Sequence, residues 1–254
     1  MLSPTGNVLI LVLVMGGALL FMVAINRVWP VKSRYGREDL IGWQLSVLAT
    51  THAVIMGFML YAGWSNLLAI RLNIELEASA LQNVYRLADG LPSEPRARIQ
   101  REAQEYAQAV IDGDWPELAA GRLPEASHQI NQSMWKTLTA VQVASPSEIT
   151  ALDQALSELR TLTQCRRTRL LQSASHLPGI FWCVLIVGGV LTIVSVTVFG
   201  SSIYRLHVLQ VFSLTLLITL AMLTIANLER PFVQGVRVDN YAFQRALHNM
   251  HELR

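Results

Sequence analysis

Charge is scarce in this chain, and its scarcity is local. Asp, Glu, Lys and Arg make up 15% of 254 residues, below the ~25% usual for soluble domains. From Leu40 to Ile70 there is none at all, and 52% of the whole chain is hydrophobic. Charge-free runs alternate with ordinary polar sequence, which excludes one large soluble core and points to an integral membrane protein. The net charge of +2 is too small to indicate a nucleic-acid partner. Two cysteines, Cys165 and Cys183, make no disulfide framework. Cys183 lies in an apolar run and reads as packed. Cys165, beside Arg166 and Arg167, reads either as a bystander thiol or as one with a lowered pKa. A Gly-rich phosphate loop, a Gly-x-Ser-x-Gly elbow, a Cys-x-x-Cys pair and a His-Glu-x-x-His helix are all missing. Nothing argues for an enzyme or for a cofactor. His248 and His251 are spaced for one helix face but lack a third ligand, so no metal site is expected.

What is present is four apolar runs. Asn7 to Asn26 is the first, with Gly16-Gly17 mid-span, where small residues let helices approach closely. A cleaved leader is the rival reading; it conflicts with the lack of Lys or Arg before the run and with a length beyond ~7–15 residues. Arg27 to Asp39 is a short basic loop with Arg27, Lys32, Arg34 and Arg37, broken at Trp29-Pro30. The second span runs from Leu40 to about Leu68, with Tyr61 and Trp64 for an interfacial belt at its far end. No proline stops it there. From Arg71 onward Ile74, Ala78, Leu81, Tyr85 and Ala88 share a helical face. One helix from Leu40 to Asp89 would be roughly 75 Å long at ~1.5 Å per residue, against a hydrocarbon core of ~30 Å. Such a rod crosses the bilayer and continues into water, which suits an oligomer with a stalk or vestibule. Ile180 to Phe199 and about Leu206 to Leu228 are the third and fourth spans, joined by a tight turn at Gly200-Ser201-Ser202. The chain therefore divides into spans at 1–70, a polar insertion at 71–176, spans at 177–228 and a polar tail at 229–254.

The insertion reads as all helix. Gly90-Leu91-Pro92 ends the rod, and Ser93 is a candidate cap for the next helix, with Ile99, Ala103, Tyr106 and Val110 on one face. Gly113, Pro116, Gly121 and Pro124 mark a loop, and a third helix carries Ile130, Met134, Leu138 and Val141. Ser145-Pro146-Ser147-Glu148 is a capping box with Pro at the first helical position. The helix it starts should reach about Ser175 and pack against the rod, with Ile74, Leu81, Tyr85, Ile149, Leu152, Leu156 and Leu159 in the core. The fold class is thus an all-α membrane protein.

At the exit of the fourth span stands Asn227-Leu228-Glu229-Arg230-Pro231-Phe232, followed by Gly235, Arg237-Val238 and Phe243. Together with Glu77-Ala78, Tyr85-Arg86-Leu87-Ala88, Gly90-Leu91-Pro92 and Trp115-Pro116, this resembles the bacterial bestrophin-like family of four-span membrane proteins over nearly the whole chain. More distantly it resembles the bestrophin anion channels, which place two spans, a helical insertion, two spans and a tail in that order. Their second span carries a Gly-Phe pair and continues into a long helix; Gly57-Phe58 stands in that place here. Their fourth span exits through Pro-Phe-Gly; here it is Pro231-Phe232-Val233, without the Gly. The resemblance implies a homo-oligomer in a lipid bilayer, a pentamer, passing small inorganic ions with a preference for anions. It implies a pore lined by the second span and narrowed at Thr50, Val54 and Phe58, where Thr50 departs from an apolar pattern. The acidic calcium clasp of animal bestrophins has no equivalent after Phe232.

Each of these residues also has a plainer reading. Thr50, Val54 and Phe58 share a helix face, as packing between spans would also require. His52 is the one imidazole inside the second span: a pH-sensitive pore group, or a neutral side chain bonded to Thr51 or a neighbouring helix. Glu229 and Arg230 serve either permeation or a structural tie beside the helix-ending Pro231 and Phe232. Glu75 and Glu77 read as a solvated face, with a vestibule wall as the alternative. Weighting the first basic loop puts the insertion outside the cell, whereas the resemblance puts it in the cytoplasm, below a bacterial inner membrane. The rival to a channel is a non-conducting scaffold or sensor whose insertion binds a partner.

Overall fold

A computed structural model describes residues 4–30, 38–174, 177–199, 203–232 and 238–252. The described residues form nine α-helices and no strand; all but the short α4 lie where the sequence patterns place helix. Helices α1 (Pro4–Val28), α2 (Glu38–Leu87), α7 (Gly179–Phe199) and α8 (Tyr204–Leu228) are long and apolar enough to cross a membrane. Between them lie α3 (Ser93–Ala109), α4 (Trp115–Ala119), α5 (Ala126–Thr139) and α6 (Pro146–Ala174), and α9 (Tyr241–Glu252) closes the chain. Helix α2 runs unbroken for 50 residues, because nothing between Trp43 and Leu87 removes a backbone donor. The basic residues Lys32, Arg34 and Arg37, the turn at Gly200-Ser201-Ser202, and Gly235 and Arg237 lie outside the described residues.

The chain forms two compact units. The first comprises Met1–Ser65 and His176–Glu229. In it α1 packs on α8 and α7, through Ala18 and Met22 against Val196 and Val211. Helix α2 joins through Met56, which clusters with Leu185, Ile218 and Ile225. Two of its glycines permit close approach: a Cβ on Gly42 would sit 3.1 Å from Phe199, and one on Gly63 would sit 3.2 Å from Leu228. Several hydroxyls in the spans turn back onto their own helices. Thr192 donates to the Gly188 carbonyl and Thr219 to the Thr215 carbonyl, which supplies the partner that lipid cannot.

The second unit comprises Asn66–Ser175 and Arg230–Arg254, so the polar tail folds together with the insertion. The end of α2 packs on α6: Asn73 donates to the Cys165 carbonyl at 2.8 Å, and Ala151 lies against Gly90. Ile74, Leu81, Tyr85 and Leu159 are buried here as expected, whereas Ile149 is 55% exposed and Leu152 and Leu156 are only half-buried. The face of α6 that meets the core is Ala155, Leu159, Leu162 and Cys165 instead. Ser93 is a residue of α3 and caps nothing by its side chain; Pro92 takes that position. Gly113 and Pro116 do not make a loop either. The chain passes from α3 through a wide π-turn at Val110–Asp114 straight into α4, where Pro116 sits in a first turn that needs no N–H. A true turn follows at Gly121, which has φ +74°. Helix α5 ends at Thr139, so Val141 lies beyond it.

The capping box forms as the sequence predicts. The Glu148 N–H donates to Ser145 Oγ at 3.2 Å, and the N–H groups of Ala144 and Ser145 donate to the Glu148 carboxylate at 2.8 and 3.3 Å. Ser145→Ala should destabilise the second unit by about 1 kcal/mol, and Ser145→Asp should retain most of it. Thermal unfolding of the two variants beside the parent in one detergent checks this.

Candidate functional site

The site begins from a face of α2 that its own unit leaves uncovered. In the first unit Val54 is 52% exposed and Phe58 66% exposed, and Thr50 is exposed with them. Leu40, Trp43, Val47 and Tyr61 continue the same three- and four-residue steps, all exposed. The opposite side of the helix carries the packing: Met56 is buried and Gly63 lies under Leu228. His52 belongs to that packed side, since two residues before Val54 is about 160° round a helix at ~100° per residue. It is 4% exposed and rests on Gly188 and Gly189 of α7. The sequence grouped His52 with Thr50, Val54 and Phe58; the fold brings the other three together and sets His52 apart. Among the described residues neither ring nitrogen of His52 has a hydrogen-bond partner, Thr51 included.

The residues at the exit of α8 divide between two tasks. In the first unit the Glu229 carboxylate accepts from the Leu177 N–H at 2.8 Å and from Trp182 Nε1 at 3.0 Å. It thereby satisfies a donor at the start of α7, where a negative charge also suits the helix dipole. In the second unit Pro231 and Phe232 are buried, while Arg230 is exposed. Phe232 meets Trp115 edge to face at 5.7 Å between ring centroids. The Pro231 carbonyl accepts from the Val238 N–H at 2.7 Å, and Trp115 Nε1 donates to the Val238 carbonyl at 3.3 Å. Trp115 also meets Phe243 edge to face at 6.1 Å between ring centroids, so the exit stretch, Trp115 and α9 form one aromatic cluster.

Sequence reasoning missed the polar centre of the second unit. Arg169 is fully buried and donates to both oxygens of Glu77, at 2.9 and 3.0 Å, and to Asp114 at 2.8 Å. Tyr106 donates to Glu77 at 2.7 Å, Ser127 to Asp114 at 2.6 Å, and Arg166 to Ser127 at 2.8 Å. The Arg169 guanidinium also lies 5.7 Å from the Trp115 ring centroid. Glu77 is therefore sealed in the core, not on a solvated face. Burial opposes the Arg169 charge, but Glu77, Tyr106 and Asp114 outweigh it, and its proton is held more firmly than usual. Burial first, then the Glu77 charge, pushes the Tyr106 phenol well above its ordinary value. The available signal was register: Arg169 falls on the Ala155, Leu159, Leu162 face, and Glu77 on the Ile74, Leu81 face.

The remaining candidates resolve simply. Burial, then Glu77, raises the Cys165 thiol, so the neighbouring arginines do not activate it. Cys183 is exposed on α7, not packed. Glu75 pairs at the surface with Arg245. His248 pairs with Glu252, and among the described residues no group of three His, Cys, Asp or Glu side chains is placed to hold a metal ion.

Comparison with known proteins agrees with this fold. A bestrophin-like domain matches residues 12–243. A bacterial bestrophin homologue from Klebsiella pneumoniae, solved as a point variant, is similar in fold, with a TM-score of 0.73 at 15% identity over 96% of this chain and 99% of that one. A second structure of a Klebsiella pneumoniae homologue gives a TM-score of 0.69 at 15% identity, covering 98% and 99% of the two chains. A membrane protein solved with a proline-to-alanine change gives 0.71 at 13% identity, covering 96% and 98%. No curated protein matches.

Proposed function

This chain belongs to the bestrophin-like family, and from that premise we propose that it is a homo-oligomeric ion channel with α2 lining the pore. The observation that carries the reading is the open face of α2. An apolar helix side is left bare from Leu40 to Tyr61 while its opposite side is packed. Copies arranged about an axis, five by resemblance, would turn Thr50, Val54 and Phe58 toward one another. An apolar ring of this kind gates by excluding water when narrow. Thr50 supplies a hydroxyl at the first position, so Val54 and Phe58 carry the constriction. The permeant species are small inorganic ions, anions preferred. The second unit stands on the cytoplasmic side of a bacterial inner membrane, which protease access in right-side-out and inverted vesicles checks.

A second reading has its own observation. Trp43 and Tyr61 lie on the same open face, about 27 Å apart at ~1.5 Å per residue, close to the ~30 Å between interfacial belts. Turned toward lipid, that face would belong to a non-conducting scaffold whose insertion binds a partner. Water access separates the two. With Cys183 replaced by Ser, Val54→Cys should react with a charged, membrane-impermeant thiol reagent if the face lines a pore. Phe58→Ala should then raise ion flux in liposomes about tenfold, equivalent to ~1.4 kcal/mol off the barrier. An unreactive Val54→Cys together with zero flux in an assembled protein leaves the scaffold.

A further inference from the structure

In the second unit the open face of α2 continues through Leu68, Leu72 and Leu76, all exposed, then Ser79. After these it changes chemistry. Asn83 and Arg86 follow at the same spacing, and they line a groove with Leu87 of α2 and Gln154, Ser157 and Glu158 of α6. Arg86 is exposed and makes no ion pair among the described residues. Some nearby charges are paired, Arg96 with Asp89, Arg98 with Glu102 and Glu75, at the edge of the same face, with Arg245. Arg101 and Arg160, like Arg86, are exposed and in no ion pair among the described residues; Arg86 is the arginine that lines this groove. The amides of Asn83 and Gln154 and the Ser157 hydroxyl add uncharged donors to the groove. Glu158 is the one acid in it.

We propose that this groove selects permeant ions by charge: Arg86, with the donors of Asn83, Gln154 and Ser157, draws a small inorganic anion onto the path along α2, and Glu158 opposes it. The proposal rests on the channel reading above and names the residues that set its preference. A unit charge ~10 Å from an ion in water changes the ion's local concentration about twofold, in opposite senses for anion and cation. The anion-to-cation ratio therefore moves about fourfold for each copy of Arg86 before screening. Because the groove is open to water, salt attenuates the effect: the Debye length falls from ~30 Å at 0.01 M to ~3 Å at 1 M.

The test is the reversal potential of the full-length protein in liposomes across a salt gradient, at low and at high mean salt. Arg86→Gln is expected to lower the anion-to-cation permeability ratio at least threefold at low salt, and Glu158→Gln to raise it. Arg86→Lys should keep the parental ratio, and all changes should shrink toward zero near 1 M. Opposite shifts from two surface substitutions are not what a folding defect produces. Conduction with unchanged ratios, or with both variants moving the same way, overturns the assignment while the channel stands. No conduction from any assembled variant, parent included, overturns the channel reading and this assignment with it.

Discussion

Arg169→Leu is expected to cost the second unit its folded structure at ordinary temperatures. The substitution removes one positive charge and leaves the Glu77 and Asp114 carboxylates sealed in the same interior, with only Tyr106 and Ser127 to donate to them. Breaking a buried ion pair from one side costs about 3–5 kcal/mol, and here two carboxylates lose their shared cation. A domain is stable by only ~5–15 kcal/mol in total. The variant should therefore show a melting transition lowered by many degrees, or rapid tryptic cleavage within residues 66–175 in detergent. Arg169→Lys keeps the charge but not the two-pronged contact with Glu77, and should fall between parent and Leu variant. Arg245→Gln, which breaks an exposed pair, should change stability by less than about 1 kcal/mol. Equal stability of Arg169→Leu and Arg245→Gln would remove the polar centre as a determinant of this unit.

Much of the architecture is written in local pattern. The spans announce themselves through absent charge, and the start of α6 through Ser145 and Glu148, because hydropathy and capping need only neighbours in sequence. The continuity of α2 was equally legible: the change from apolar to amphipathic at Arg71 contains no residue that breaks a helix. What failed to show depends on partners far along the chain. Ile149 sits in good rhythm with Leu152 and Leu156, yet the face of α6 that meets α2 is rotated toward Ala155, Leu159 and Leu162, and period alone does not choose between adjacent faces. Gly113 and Pro116 look like loop residues until a π-turn carries the helix through them. Glu77 looked solvated because its counter-charge, Arg169, lies 92 residues away. For the candidate site, Thr50, Val54 and Phe58 were legible as one face by spacing. That His52 belongs to the packed side required knowing where α7 lies.

Gly188→Ala should destabilise the first unit, although the same change at Gly16 or Gly17 should not. A Cβ built at Gly188 would lie 2.5 Å from His52 Nδ1, 3.1 Å from Cε1 and 3.3 Å from Cγ. Three ring atoms are too near, so no small rotation relieves the contact, and the ring's far nitrogen is already 3.6 Å from where a Cβ on Gly189 would be. His52 must leave its seat or α2 must move off α7; overpacking of this kind costs about 1–3 kcal/mol. Gly16 and Gly17 in α1 meet nothing within 4 Å at the corresponding position. There the helix propensity of Ala, up to about 1 kcal/mol over Gly, acts unopposed. Gly188→Ala and Gly16→Ala should thus shift the melting temperature in opposite directions. His52→Ala should restore the loss, since the added methyl then fills space the imidazole has vacated, and a double-mutant cycle should return a coupling of about 1–3 kcal/mol. The cycle also bears on the pore. If the seat on Gly188 is what holds α2 with its Val54 and Phe58 face outward, Gly188→Leu should change flux while leaving that face untouched, and His52→Ala should bring it back. Additive stability effects at positions 52 and 188 would mean that the two side chains do not meet, and that α2 is held to α7 by something other than this contact.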